Sequence, residues 1–383
     1  MAAPGAGPIS VSLDLPAGAR SGTTEALLAA MLRASPALSD LIFSPGRPPQ
    51  ILIHGQLVAI EIPRLAMLTA DHTRHIASDL IGNNKQALTT LREQGSCDVS
   101  FSLAGQARFR VNAFIQRGSC AVVMRVIPTV IPDLTSLALP PQLASVADLD
   151  SGIVLVTGPV ISGKSSTLAA LIDLINRRHA YHIITVEDPI EFLHTHVCST
   201  IHQREVHSDA PSAGQALRAA LRQSPNVLVL GETRERENIE LLLDAAETGH
   251  LVLSSIRTVD AAKTVERIVG MFDPAEYDSV RGRLAKSFRY LISQKLIHRA
   301  DGKGLVPVVE IVKANPRTRE CLAHGQHVGQ TLAEYARSGA EEEGMQDFDG
   351  EIEKLFRAGI IDLPAALAQA RNPAYLAQVL EKL

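Results

Sequence analysis

Gly158-Pro159-Val160-Ile161-Ser162-Gly163-Lys164-Ser165 sets two glycines, a lysine and a hydroxyl at the spacing G-x-x-x-x-G-K-[ST]. That spacing suits the gripping of a nucleoside triphosphate. Backbone amides of such a loop curl around phosphate oxygens, and the positive end of the following helix adds to their pull. Lys164 would then reach the β- and γ-phosphates, and Ser165 would offer its hydroxyl to Mg²⁺. Gly158, Ser162, Gly163, Lys164, Ser165 and Ser166 are the candidate nucleotide-binding residues. A pattern with so few fixed positions also arises on ordinary strand-turn-helix units, so the flanks must agree with it. They do: Ile153 to Thr157 reads as a strand and Ser166 to Arg178 as a helix. Ile161 fits less well, because a β-branched residue resists positive φ. Either φ is ordinary there, or the loop is strained and binds nucleotide less well.

Phosphoryl transfer to water also needs a group to orient the water, support for the metal, and positive charge on the transferring phosphoryl. Glu187-Asp188-Pro189-Ile190-Glu191 follows the strand-like His182–Val186, and Gly231-Glu232-Thr233-Arg234 follows Val227–Leu230. In an open α/β sheet both clusters fall at the carboxyl edge, where ligands sit. Glu232 is the candidate water-orienting base. Glu187 and Glu191 are candidates for positioning water or holding Mg²⁺ through its water ligands. A lone acid of this kind more often caps a helix or pairs with arginine. Two clusters at consecutive strand ends behind a phosphate loop favour chemistry. A third, Glu247-Thr248-Gly249-His250, precedes the strand-like Leu251–Ser255. Gly249 reads as a helix stop, and His250 as either a γ-phosphate sensor or a polar cap.

The elements that must position these groups follow from periodicity. Short runs apolar on both faces at Gly152–Thr157, His182–Val186, Val227–Leu230 and Leu251–Ser255 read as buried parallel strands. Helices are predicted at Ser166–Arg178, Ser212–Arg222, Glu235–Glu247, Ala261–Val269 and Ala275–Gln294, with small helices broken by Gly359, Pro364 and Pro373 at the C-terminus. Upstream, Thr23–Ala34 and Thr69–Ile81 read as helices. Asp40–Ser44, Gln50–Ile53, Leu57–Ile60, Cys97–Leu103, Ala107–Phe114 and Val122–Val126 read as strands of an antiparallel sheet, with a hairpin turn at His54-Gly55-Gln56. Pro128, Pro132, Pro140 and Pro141 read as a linker between the halves. Met1 to Gly22 lacks the basic start and long apolar core of a secretion signal. It reads as a flexible leader with a short edge strand around Ile9 to Leu15. Glu341-Glu342-Glu343 reads as a solvated loop.

At 383 residues the chain has room for two domains, and 46% hydrophobic with 20% charged residues is a globular composition. A net charge of −4, no Trp and 4% aromatics give no reason to invoke nucleic acid. No run of eighteen apolar residues suggests a membrane span. Cys97, Cys120, Cys198 and Cys321 are far apart and form no C-x-x-C pair, which argues against structural zinc and for a reducing cytoplasm.

Taken in order, the motifs resemble the retraction ATPases of type IV pili, of the PilT and PilU kind, within the secretion ATPase superfamily. Ser39-Asp40 with Pro45-Gly46-Arg47-Pro48-Pro49 is similar to the start of the family's N-terminal domain, and Arg108-Phe109-Arg110-Val111-Asn112-Ala113-Phe114 to its arginine-bearing strand. Val186-Glu187-Asp188-Pro189-Ile190-Glu191-Phe192 looks like its Asp box. Gln203-Arg204-Glu205-Val206 and Ala216-Leu217-Arg218-Ala219-Ala220-Leu221-Arg222 match it as well. Gly231-Glu232 looks like its variant Walker B, Ala246-Glu247-Thr248-Gly249-His250-Leu251 like its His box, and Gly344-Met345-Gln346 fits near the C-terminus. The extension ATPases usually carry a four-cysteine zinc module, so its absence here favours the retraction branch.

The resemblance implies an α/β fold: leader 1–22, a PAS-like α+β domain over 23–130, linker 131–150, a RecA-like P-loop ATPase core over 151–345 and C-terminal helices over 346–383. It implies a homo-hexamer using ATP and Mg²⁺, cytoplasmic and peripheral at the inner membrane. Its partners would be the platform protein of the pilus machine and a paralogous ATPase. It gives Arg110 and Arg125, and less securely Arg117, the task of reaching the phosphates. Four departures stand out. Ile161 replaces a loop glycine. Arg257 stands where the family has a second His-box histidine. Asn226 replaces an acid before Glu232. Asn315-Pro316-Arg317-Thr318-Arg319-Glu320 replaces the C-terminal retraction motif with its Ala-Ile-Arg core. They support a second reading, a weakly active or inactive ring subunit that binds nucleotide and works with an active paralogue.

Overall fold

A computed structural model describes residues 9–10, 22–53, 56–62, 65–128, 130–325, 331–340 and 344–380. It falls into two compact units, Met1–Thr129 and Val130–Leu383.

The first unit runs β1 (Ile9–Ser10), α1 (Gly22–Arg33), β2 (Leu38–Phe43), β3 (Gln50–Ile53), β4 (Gln56–Glu61), α2 (Ala70–Ile81), α3 (Lys85–Gln94), β5 (Ser96–Leu103), β6 (Ala107–Gln116) and β7 (Ser119–Ile127). The strands form one sheet in the order β1-β4-β3-β2-β7-β6-β5, antiparallel except where β1 joins β4. Its apolar face, including Leu41, Phe43, Ile51, Phe109, Val111 and Met124, packs on Leu27, Leu28, Met31, Ile76 and Leu80 of α1 and α2. This is the α+β half read from alternation. Helix α3 escaped that reading, although Asn84 caps its start and Gly95 ends it in the left-handed region. Most of the expected leader lies outside the described residues, as do His54 and Gly55 of the expected hairpin turn. The flanking strands pair with Ile53 opposite Gln56.

The second unit runs through a 3₁₀ turn at Pro141–Asp148, β8 (Gly152–Thr157), α4 (Lys164–Arg178), β9 (His182–Glu187), β10 (Thr200–Glu205), α5 (Ala213–Ala220), β11 (Val227–Leu230), α6 (Arg236–Glu247), β12 (Leu251–Ile256) and α7 (Ala261–Val269). It continues through α8 (Tyr277–Ser287), β13 (Phe288–His298), β14 (Leu305–Lys313), α9 (Pro316–His324), α10 (Leu332–Ser338), α11 (Phe348–Arg357), α12 (Leu363–Gln369) and α13 (Pro373–Leu380). The sheet order is β10-β9-β11-β12-β8-β13-β14, parallel throughout apart from β14. Every residue of β8, β11 and β12 is buried, because each strand face meets its own core. Ile153 and Leu155 pack with helices α5 to α8, while Val154 and Val156 pack with α4.

Two sequence expectations change, and the C-terminal helices gain a place. The helix predicted over Ala275–Gln294 stops at Ser287, and Phe288–His298 is a strand between β8 and β14. Buried on both faces, it lacks the alternation that would separate it from a helix. The proline-marked stretch 131–150 is no free linker. Leu139, Leu143, Val146 and Ala147 lie in the core around α4. The C-terminal helices are tied to the sheet: Phe348, Ile352 and Leu376 pack on Ile297, Val306 and Val308, and Arg371 pairs with Asp260 at 3.2 Å and with the fully buried Glu310 at 2.9 Å. Glu341–Glu343 lies outside the described residues.

Candidate active site

The carboxyl edge of this sheet gathers most of the predicted groups. Thr157 leads from β8 into Gly158, whose N–H reaches Ile256 O on β12 at 3.4 Å. The loop then turns through three residues at positive φ: Gly158 at 156°, Ile161 at 65° and Gly163 at 86°. The open question at Ile161 is thus answered as strain. A β-branched residue sits in the left-handed region, and its side chain is 85% exposed and packs on little.

The loop is braced from β13, where sequence reasoning saw a helix. Gln294 donates from Nε2 to Ser162 O (2.7 Å) and accepts at Oε1 from Thr167 Oγ1 (2.7 Å). A Cβ on Gly158 would collide with Gln294 O, and one on Gly163 would lie 2.7 Å from Gln294 Nε2. Those two glycines therefore let β13 press against the loop. Thr157 Oγ1 also donates to Ser293 Oγ at 3.0 Å. The polar pair Ser293-Gln294 in an apolar strand was the available signal for this brace.

The cradle suits an anion. Helix α4 starts at Gly163 with no side-chain cap, so its first amides are open to a ligand. Ser162 Oγ is buried beside them without a hydrogen-bond partner. Lys164, on the first turn, donates from Nζ to Gly158 O (3.0 Å) and Pro159 O (2.7 Å). Burial lowers its pKa. The charges of Glu232 and Glu191 oppose that shift, and Arg257 adds to it, so all three act at the lysine. Ser165 and Ser166 share its turn.

Glu187 ends β9 and Glu232 follows β11, as predicted. Glu187 accepts at Oε1 from Thr185 Oγ1 (2.6 Å) and Gln203 Nε2 (3.0 Å). It keeps some solvent access, yet protein surrounds most of it, and burial pushes its carboxyl up against the pull of these donors. Gly231 lies beside it, where a Cβ would make ordinary contact with Glu187 Cγ at 3.4 Å. Glu191 is exposed and its backbone N–H also serves Glu187. Glu232 is different. Burial would raise its pKa, but hydrogen bonds from Arg234 and Arg257 outweigh that and hold it below the usual carboxylate range.

His250 is a correction. It precedes β12 at the amino edge of the sheet, the opposite edge from the loop, where its carbonyl accepts from Gly152 N at 3.0 Å. Six strand residues, about 20 Å, separate it from the loop end of that strand. Its Nδ1 contacts Ala245 O (2.9 Å) and Thr248 Oγ1 (3.2 Å) at the end of α6, so it is the polar cap and not a sensor beside this loop. Arg110 and Arg125 belong to the first unit. They are direct cross-strand partners on β6 and β7, exposed, with Asp98 3.7 Å from Arg110 and Asp40 3.0 Å from Arg125. Arg117 is at the β6–β7 turn with φ 47°.

Among the described residues no group of three His, Cys, Asp or Glu side chains could hold a metal. Ser165, the hydroxyl expected from the sequence to meet Mg²⁺, lies on the first turn of α4. No helix of the described residues is long and apolar enough to cross a membrane.

Residues 62–349 match the type II/IV secretion system protein family. Over 336 residues the chain is 39% identical to the type IV pilus retraction ATPase PilT of Pseudomonas aeruginosa, covering 88% of this chain and 95% of that one. It is 35% identical over 332 residues to the type IV pilus ATPase PilU of the same species, covering 87% and 85%. The solved structure of the pilus retraction motor PilT with bound ADP superposes with a TM-score of 0.81 at 34% identity, over 94% of this chain and 99% of that one. The two units thus correspond to an N-terminal domain and an ATPase core, and the chain belongs to the type II/IV secretion system protein family as a member of its PilT- and PilU-like pilus retraction ATPases.

Proposed function

We propose that this protein is a hexameric motor that binds ATP with Mg²⁺ and hydrolyses it to retract type IV pili. One observation carries the reading: an uncapped α4, the glycine-lined loop before it, Lys164, and the acids Glu187 and Glu232 all meet at one sheet edge. In this reading the loop amides and Lys164 hold the phosphates, Ser165 holds Mg²⁺, and the acids place the attacking water. Glu232 acts as the water-orienting base, and Glu187, on the neighbouring strand end, helps to position the water. Arg110 and Arg125, adjacent on their sheet, neutralise phosphoryl charge. The motor works on the cytoplasmic face of the inner membrane against the pilus platform protein.

Phosphate release by the purified chain tests this. Lys164→Ala is expected to abolish nucleotide binding, and Glu232→Gln to retain binding while turnover falls at least a hundredfold. Native mass with and without ATP reads the ring. A chain that never binds nucleotide, or that stays monomeric with it, would sink the proposal. A second reading, an accessory subunit that binds nucleotide beside an active paralogue, draws support from strained Ile161 and from Arg257 held on Glu232. Binding without turnover, with turnover restored in a mixed ring, would select it.

A further inference from the structure

Arg257 closes β12 at the mouth of the phosphate loop, for Ile256 just before it pairs with Thr157 and takes the N–H of Gly158. Its guanidinium does not point freely over the loop. It lies on Glu232, with Nη2 donating to Oε2 at 2.8 Å and Nε paired with Oε1. Arg234 Nη2 donates to the same Oε2 at 2.8 Å. Both oxygens of the candidate base are therefore engaged by arginines. A carboxylate so occupied has little capacity left to align a water molecule or take its proton.

The clamp is also accessible. The Arg257 side chain is 53% exposed and that of Glu232 20% exposed. A solvent-accessible ion pair is held weakly, so a stronger anion nearby can draw the arginine away. A terminal phosphoryl group supplies one: it carries more charge than a carboxylate and matches the guanidinium fork. A nucleoside diphosphate in the same cradle presents no oxygen at that place.

We propose that Arg257 is a latch on Glu232 that the γ-phosphate opens: without it the arginine holds the base, and with it the arginine moves onto the phosphate and frees the base to face water. The latch rests on the reading of the loop as an ATP site, and it makes Arg257 a positioning residue that also tells triphosphate from diphosphate. Arg234 is tied on its other side to Asp188 at 3.7 Å and stays on Glu232.

Fluorescence titrations of the full-length chain with a non-hydrolysable ATP analogue and with ADP test this without relying on turnover. Arg257→Gln is expected to weaken the analogue about tenfold and leave ADP within twofold, with Arg257→Lys between the two. Arg234→Gln is expected to move both nucleotides by less than twofold. Glu232→Gln releases the arginine in advance, so it should tighten the analogue about threefold, and that gain should vanish in the Arg257→Gln background. Equal weakening of both nucleotides by Arg257→Gln, or a Glu232→Gln gain that survives without Arg257, would reduce the pair to a plain structural contact. A wild-type chain that binds neither nucleotide would remove the ATP-site reading itself, and the latch with it.

Discussion

Ile161 shows how one side chain can tax a binding loop. Holding a non-glycine residue in the left-handed region costs of order 1–3 kcal/mol, and Ile161 recovers little by packing because it is 85% exposed. Glycine at this place removes the strain but gives the unfolded chain more freedom, which offsets part of the gain. The larger effect should fall on the ligand, since the loop must keep this turn while its amides close on phosphate. Ile161→Gly is therefore expected to bind ATP about threefold to tenfold more tightly, with thermal stability unchanged or slightly higher; weaker binding would show that the isoleucine is fitted to the site. The sequence alone posed this as a choice between two backbone states. It had no means of choosing, because φ at one loop residue depends on how Gly158 and Gly163 are pinned by Gln294 on a distant strand.

At the scale of elements, the parallel strands were legible because full burial leaves continuous apolar runs bounded by polar turns. The same property hid β13, whose run Phe288–His298 lacks alternation and follows directly on a true helix. Losing that strand meant losing Gln294, the residue that holds the loop in shape. The predicted strand-end acids and the loop lie at one sheet edge, while the brace behind the loop escaped the sequence reading. His250 failed for a related reason. A motif gives order along the chain, whereas the edge of the sheet a residue occupies depends on the strand's direction, and His250 enters β12 where Arg257 leaves it. For Gln294→Leu, the lost pairs leave Thr167 Oγ1 and Ser162 O without their buried partner. Stability should drop by about 2–4 kcal/mol in denaturant titrations, and nucleotide affinity by at least tenfold. Glutamate at the same position keeps an acceptor for Thr167 but loses the donor to Ser162 O, so its nucleotide affinity should stay low while part of the stability returns. Full nucleotide affinity in either variant would show that the loop holds its shape without β13.

At the scale of the whole molecule, the units divide after Thr129, between Pro128 and Pro132 of the proline-marked stretch. What the prolines did not reveal is that the residues after it fold onto α4. The stability of that second unit should also carry a pH signature from His194. Its ring is largely enclosed, its Nδ1 has no hydrogen-bond partner, and its backbone N–H is held by Gln203 Oε1 at 2.8 Å, the same side chain that serves Glu187. Burial lowers its pKa from 6.5 to about 4, with only Asp173 pulling the other way. The unfolded chain therefore takes up a proton first as the pH falls. The stability due to the neutral ring is complete above about pH 6.5, shrinks below it, and is gone once the pH passes about 4. The loss amounts to at most about 3 kcal/mol, less to the extent that water reaches the ring. Denaturant unfolding of wild type and His194→Gln at several pH values reads this directly. The variant should lose less stability than wild type between pH 6.5 and 4, so that the two curves converge or cross. Curves that stay parallel through that window would mean that His194 takes up its proton equally in the folded and unfolded chain.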